Sequence, residues 1–445
     1  MPITAIRQGR RSLKGDEFPA MVRAMRTNGL ARCATLLVIA ACGDDSTATI
    51  DAAVDDGVVE SGVDVQVLDA PADVRTDRAV DAPPDIAVDD AADVGVACPA
   101  ARAVDDPRYA LVSFPFGEDD SIFRVFRFDS AGTWSATGDE LSIGKVGFTR
   151  VAFSINGRVA LVVLDNTQIA TVRFEDDGSA TLVEPARVPL QSASRAYPDP
   201  NDPRFFYVVS TNVRANDGSL FRVEVDCDGV IVDETMIAFG NLPFALHIGE
   251  TASDAVALAR AFDDAGEGDA HAIDLTTGAF GESFELFEGD DWSGAGLVRD
   301  GQTLLATDTS ISTINRVAVG TATSGAAVRQ TVDSIEDPLD VIVSPRRDLV
   351  AVVSGFRSQL WLFDYDPEGT PPLTGQRAAT YVSGRPQVPG EPILIERGAL
   401  AGVFVLPEVV GLRAFRFVEG DVIDLGGFDT GEGDGAIPGA MGIQP

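Results

Sequence analysis

Five residues carry side chains that could do chemistry just ahead of, or inside, short apolar runs. Arg150 precedes VAF, Arg195 precedes AYP and Asp340 precedes VIV, while His247 sits in PFALHIG and His271 opens HAIDL. Two guanidinium groups can grip a carboxylate or other anion through paired N–H donors. In a chain this acidic they can equally pair with its own carboxylates, and that pairing is the expectation for Arg150 and Arg195. General acid–base or nucleophilic work by a histidine needs a nucleophile and an orienting acid within hydrogen-bond reach. No GxSxG stretch is present, and the two histidines lie in different strands. Both are therefore read as structural, and no catalytic residue is assigned.

Metal chemistry is weakly encoded. DYDPEG, from Asp364, begins like a calcium loop, yet the twelfth position is Gly375, where a bidentate Glu is required. VDCDG, GEGDAH and DTGEGDG read as acidic turns that could hold calcium only loosely. The expectation is no cofactor and no metal site. Cys98 and Cys227 remain after the two N-terminal cysteines are set aside, and sequence leaves open whether they form a disulfide or stay separate thiols.

These residues must be positioned by strands. From about residue 99, β-branched and aromatic runs alternate with Gly, Asp and Asn turns. One apolar strand recurs as RYALVSF, RVALVVL, RFFYVVS, AVALARA, QTLLATD, DLVAVVS and ALAGVFV, at offsets of 50, 46, 51, 47, 46 and 51 residues. A second strand follows each, ending at Phe128, Phe174, Val225, Leu275, Val319, Tyr365 and Phe417, with offsets of 46, 51, 50, 44, 46 and 52. Repeats of this length made only of strands indicate a β-propeller, because a ring buries both faces of each hairpin and a linear stack does not. The predicted fold class is all-β, a seven-bladed propeller over 98–445. The first repeat lacks an inner strand and the chain ends in GAIPGAMGIQP, so the C-terminal strand is expected to complete the N-terminal blade.

The pattern Pro338, Val341, Ser344, Pro345 followed by an apolar strand, and FTRVAFSINGR at Phe148–Arg158, resemble the YVTN or lactonase-like seven-bladed propellers. The resemblance covers nearly all of 99–445. It implies ligands at the mouth where the inner strands begin, which here hold Thr149, Arg150, Ser194, Arg195, Phe244, Asp340, Glu391 and Ile437. Arg150, Arg195 and Asp340 are the candidate binding residues of that mouth. The Arg, His and acidic constellations of the enzymatic members do not map onto this chain residue by residue.

Ahead of the repeats lie two further segments. Arg23, Arg26 and Arg32 precede an apolar run from Ala34 to Ala41 that ends at Cys42. That run is too short to span a bilayer and has the layout of a secretory signal over 1–41, with Met21 or Met25 as alternative starts. Ile39-Ala40-Ala41-Cys42 resembles the lipobox of bacterial lipoproteins, which implies acylation of Cys42 and a membrane anchor. Gly43 follows the cysteine and points towards the outer membrane. Residues 43–97 hold fourteen Asp, one Glu, two Arg and no aromatic residue, the composition of a disordered, self-repelling spacer. It would span roughly 40 Å as a flexible coil.

The net charge is −35, and removing the signal, which carries +5, takes it to −40. Such a field repels nucleic acid. The expectation is a monomeric, lipid-anchored envelope protein facing periplasm or medium. Its propeller binds a protein, peptide or glycan without catalysis; a lactonase or other hydrolase at the channel mouth is the alternative.

Overall fold

The computed structural model describes residues 98–445 apart from 104–105, 115–121, 146–150, 165–166, 213–214, 288–293, 309–315, 322–327, 334, 337, 355–358, 381–390, 409–410 and 430–437. Within them the chain is all-β; the one helical piece is a 3-10 turn at Gly398–Leu400.

The strands in chain order begin with β1 (Arg108–Phe114), β2 (Ile122–Phe128) and β3 (Trp134–Leu141). Next come β4 (Ala152–Phe153), β5 (Val159–Leu164), β6 (Gln168–Phe174), β7 (Ala180–Leu182) and β8 (Val188–Pro189). They are followed by β9 (Ala193–Pro198), β10 (Phe205–Asn212), β11 (Asp217–Val225), β12 (Ile231–Ile248), β13 (Ala255–Phe262), β14 (Ala270–Asp274) and β15 (Ala279–Phe284). Then β16 (Gly294–Asp300), β17 (Thr303–Asp308), β18 (Arg316–Thr321) and β19 (Gln330–Asp333) precede β20 (Pro338–Val343), β21 (Leu349–Ser354), β22 (Gln359–Tyr365) and β23 (Leu373–Thr380). The last are β24 (Ile393–Ile395), β25 (Val403–Glu408), β26 (Gly411–Val418), β27 (Asp421–Asp429) and β28 (Met441–Ile443).

All pairings are antiparallel, and the sheets run β28-β1-β2-β3, β4-β5-β6-β7 (with β8 also on β6), β9 through β15 in sequence, β16 to β19, β20 to β23, and β24 to β27. The long sheet exists because β12 does two jobs. Its first part pairs with β11 up to Gly240, and its remainder pairs with β13 from Gly240 onwards.

The repeated apolar run of the sequence is the second strand of each unit. β1, β5, β17, β21 and β25 are buried along their whole length. A strand covered by sheets on both faces has no solvent side, so its residues need not alternate. Outer strands β3 and β27, by contrast, are mostly exposed. The apolar clusters lie between consecutive sheets. One joins Tyr109, Leu111 and Phe123 to Phe153, Val162 and Phe174; another joins the last sheet, through Ile393, Val403 and Val405, to Val112, Phe126 and Ile443 of the first.

That last contact depends on the chain end. β28 pairs with β1 in the register Ala110↔Ile443, Leu111↔Gly442 and Val112↔Met441. Gln444, 2% exposed, is tied on every side. Its N–H donates to the Tyr109 carbonyl at 2.9 Å and its side-chain Oε1 accepts the Tyr109 N–H at 3.1 Å. Its Nε2 donates to the Gly157 carbonyl at 2.7 Å, and its own carbonyl accepts Arg108 Nη1 at 2.8 Å. Arg108 Nη2 donates onward to the Arg397 carbonyl at 2.7 Å. Gly442 is a glycine because a Cβ there would run into the carbonyl and side chain of Val151.

The start of the described chain is fastened as well. Cys98 is disulfide-bonded to Cys227 in the turn between β11 and β12. Asn156 Nδ2 donates to the Pro99 carbonyl at 3.1 Å, and Arg102 Nη1 donates to the Asp176 carbonyl at 2.8 Å. The Arg102 guanidinium also covers the Tyr109 ring, 5.1 Å from its centroid. A covalent link across 129 residues removes much of the unfolded chain's freedom, a gain of about 2–4 kcal/mol.

Truncating the chain before Gly439 should abolish the single cooperative thermal transition, because β1 is left with an open edge and the last sheet with an uncovered face. Gln444→Ala should cost about 2 kcal/mol by stranding the Tyr109 N–H and Gly157 carbonyl. Circular dichroism melting checks both; a truncated chain that melts like the full one would refute the closure.

Candidate functional site

The strand β9 reads ASRAYP, and its two-residue period puts Arg195 and Tyr197 on one face while Ser194 and Ala196 take the other. Ser194 fixes the strand from behind: its hydroxyl donates to the Val209 carbonyl at 2.9 Å and lies 3.0 Å from the Thr211 hydroxyl. Thr211 in turn donates to the Pro243 carbonyl on β12.

On the front face, Arg195 is 7% exposed. Its Nε forms an ion pair with Glu391 Oε1 at 2.5 Å, and its Nη1 donates to the Phe244 carbonyl at 3.1 Å. Burial works against its charge. Glu391 first, then Tyr197 and Asp340, more than offset this, so the guanidinium holds its proton above the usual arginine range. The Tyr197 hydroxyl also accepts the Leu246 N–H at 3.3 Å. Arg195 thus draws together β9, the inner part of β12, β20 and the approach to β24. The first and last of these belong to sheets that are not consecutive in the chain. In a ring, inner strands of non-consecutive sheets meet only around the axis, so this cluster marks the centre of the fold.

Asp340, on β20, also accepts the Val341 N–H at 2.8 Å. Gly296, at the start of β16, packs directly against it: a Cβ at Gly296 would collide with Asp340 Oδ1 and Cα. The inner strands are therefore drawn close at this level, and the glycine is required by that approach.

Of the residues singled out from sequence, Arg195 and Asp340 come together, with Glu391 and Phe244 beside them. Arg150 and Cys42 lie outside the described residues, as do Thr149 and Ile437. Arg195 is spoken for by carboxylates and does not stand as an idle anion grip. His247 follows Leu246 on the inner part of β12, and His271 lies on β14. His247 pairs with Val256 and His271 with Ala257, successive residues of β13, so they occupy opposite faces of one sheet. His247 is surrounded by Arg299, Asp254 and Asp300. His271 is fully buried, hydrogen-bonded through Nδ1 to the Ser283 hydroxyl at 2.9 Å and edge-on to Phe262.

Further charged groups escaped the sequence reading. Arg316 Nε pairs with Asp308 at 3.0 Å, and the carboxylate is 1% exposed. Arg413 pairs with Glu408 at 2.6 Å and with Asp424 at 2.7 Å. Burial pushes the Glu408 carboxyl up, against the pull of Arg413. The only signal for them was position: Asp308 and Glu408 end the second strand of their units, and the paired arginine opens, or nearly opens, the third.

No protein-family model matches the chain, and no curated protein matches it in sequence. Solved structures do match its fold. The periplasmic gluconolactonase of Pseudomonas aeruginosa aligns with a TM-score of 0.55 at 15% identity, covering 76% of this chain and 99% of that one. A putative 6-phosphogluconolactonase from Bacteroides fragilis gives 0.52 at 13%, over 77% and 99% of the two chains. This chain has a β-propeller fold. A hypothetical selenium-binding protein from Sulfolobus tokodaii gives 0.56 at 11% identity, covering 76% of this chain and 94% of that one.

At the centre of this propeller a carboxylate, Glu391, with its side chain 14% exposed, stands against a fixed guanidinium. Such a pair can take a proton from water and stabilise negative charge developing nearby. Among the described residues no group of three His, Cys, Asp or Glu side chains is arranged to hold a metal ion.

The histidines set a pH limit. Burial lowers the pKa of each to about 4, with Arg299 adding to the effect at His247 and the backbone of Ala259 and Gly268 opposing it at His271. Between 4 and the ordinary 6.5 the unfolded chain binds protons that the folded chain refuses, so stability is full above about 6.5 and falls as pH drops towards 4. The chain has only these two histidines. The melting temperature should therefore be lower at pH 5 than at pH 7, and a His247→Asn, His271→Asn double variant should lose most of that difference; an unchanged difference in the variant contradicts the assignment.

Proposed function

We propose that this chain is a lipid-anchored envelope protein whose seven-bladed propeller hydrolyses a small cyclic ester at its central mouth. Counting β12 as the outer strand of one blade and the inner strand of the next supports seven blades. The observation that carries the reading is the convergence at the ring axis of Arg195 and Tyr197 from β9, Asp340 from β20 and Glu391 from the approach to β24. In the proposed reaction Glu391 takes a proton from water as its oxygen bonds to the ester carbonyl carbon. Arg195 holds Glu391 in place and favours the oxyanion. The ring C–O bond then breaks, and the leaving oxygen recovers the proton from Glu391. Products are a hydroxyl and a carboxylic acid, so atoms and charge balance. The names of the Pseudomonas and Bacteroides proteins with this fold add support for lactone chemistry over a purely passive ring.

A non-catalytic binding module is the second reading. It is favoured by the prior engagement of Arg195 with carboxylates.

Glucono-1,5-lactone should be hydrolysed above the spontaneous rate, and Glu391→Gln should lower kcat/KM by about 10²–10⁴ while leaving the fold intact by circular dichroism. Wild-type turnover equal to the spontaneous rate favours the binding module. For the anchor, metabolic labelling with a palmitate analogue should mark the wild-type chain and not Cys42→Ala; label on both, or on neither, removes lipidation at Cys42.

A further inference from the structure

We infer that residues Cys98–Ala103 are a redox-released strap: a dithiol that reduces the Cys98–Cys227 bond frees it and loosens the closure of the ring. The strap is tied at both ends. Cys98 is bonded to Cys227 in the turn between β11 and β12, and the other end runs on towards β1. Between the ends it is held by isolated polar contacts. The Pro99 carbonyl accepts Asn156 Nδ2 at 3.1 Å, Arg102 Nη1 donates to the Asp176 carbonyl at 2.8 Å, and the Arg102 guanidinium lies over the Tyr109 ring. Each is modest by itself, so the covalent tie decides whether the strap stays down.

The strap and the chain end act on the same two places. The first is the turn before β5. There Asn156 holds the strap, and its neighbour Gly157 accepts Gln444 Nε2 at 2.7 Å. Asn156 also shapes that turn, its Oδ1 accepting the Arg158 N–H at 3.1 Å and the Ser154 hydroxyl at 2.7 Å. The second place is Tyr109. Arg102 covers its ring, while its N–H and carbonyl are both bonded to Gln444. Ala101 and Arg102 line one small recess together with Asn156, Gly157 and Gln444. Lifting the strap therefore lets water in beside the hydrogen bonds by which Gln444 holds the first and second sheets.

Both cysteines are half-buried, which leaves the bond within reach of a dithiol. One thiolate of the dithiol attacks a cysteine sulfur, the Sγ–Sγ bond breaks, and the other cysteine leaves as a thiolate. The second thiolate of the dithiol then displaces the attacked cysteine and closes an internal disulfide. Two electrons pass to the protein, and the two protons shed by the dithiol end on the two cysteines. Nothing in this step depends on the chemistry of the central site.

The test uses the full chain with and without dithiothreitol, probed by trypsin and by deuterium exchange, with mass spectrometry as the readout. Reduction should speed cleavage after Arg102, and amide exchange at Tyr109 and Gln444, by roughly tenfold or more, while β21 exchanges as before. Reoxidation should restore both protections, and Cys98→Ser should match the reduced protein and ignore dithiothreitol. Equal protection of Arg102 in both forms overturns the strap. Faster cleavage with unchanged exchange at Tyr109 and Gln444 overturns its link to the closure. A rise in exchange that includes β21 means general unfolding and overturns the inference as a whole.

Discussion

Edge pairing is the constraint on which this molecule depends. Its hairpins are short and antiparallel, and their second strands are apolar on both sides, so each sheet is stable only with a neighbour on either face. The contacts between consecutive sheets follow from chain order. The contact between the last sheet and the first has no such help. It rests on the apolar cluster that joins the two sheets, on three residues of β28 and on Gln444, whose hydrogen bonds reach the first and second sheets and, through Arg108, the backbone before the 3-10 turn of the last. Local sequence makes the strands; the chain end makes the ring.

Closure creates the centre, and the centre is polar. Bringing inner strands together around an axis forces a few side chains into a crowded place with little water. An apolar plug would satisfy that geometry. Here the chain supplies a buried arginine with carboxylates from two other sheets, an arrangement that seldom adds stability over a hydrophobic one. A costly polar cluster at the convergence point of a ring is where selection for chemistry or recognition is expected. That argument bears on the place and not on the reaction, since the same fold accompanies different names in the solved structures.

The fold was legible because its signal is repeated. Any one run such as AVALARA or QTLLATD is ambiguous, but the continuous burial of second strands writes the same apolar word at a near-constant interval. The open first repeat and the unpaired strand-like tail pointed to one another. The site was legible only in part. Arg195 and Asp340 stood out by charge at strand starts, yet their coming together depends on the radius at which inner strands meet, which no local pattern encodes. Glu391 lay at an equivalent start without any mark of partnership. Tyr197 was hidden by its ordinariness: one aromatic two residues beyond an arginine in a strand. The histidines drew attention by rarity alone.

The bond between Cys98 and Cys227 has a mechanical meaning. Any pull applied through the residues ahead of Cys98 reaches the body of the protein at the turn between β11 and β12. Force is shared with the longest sheet before it can peel the hairpin that the C-terminal residues hold in place. The seam of the ring is thereby shielded from tugging at the chain's front end, and cutting that one covalent link would redirect the load onto the seam.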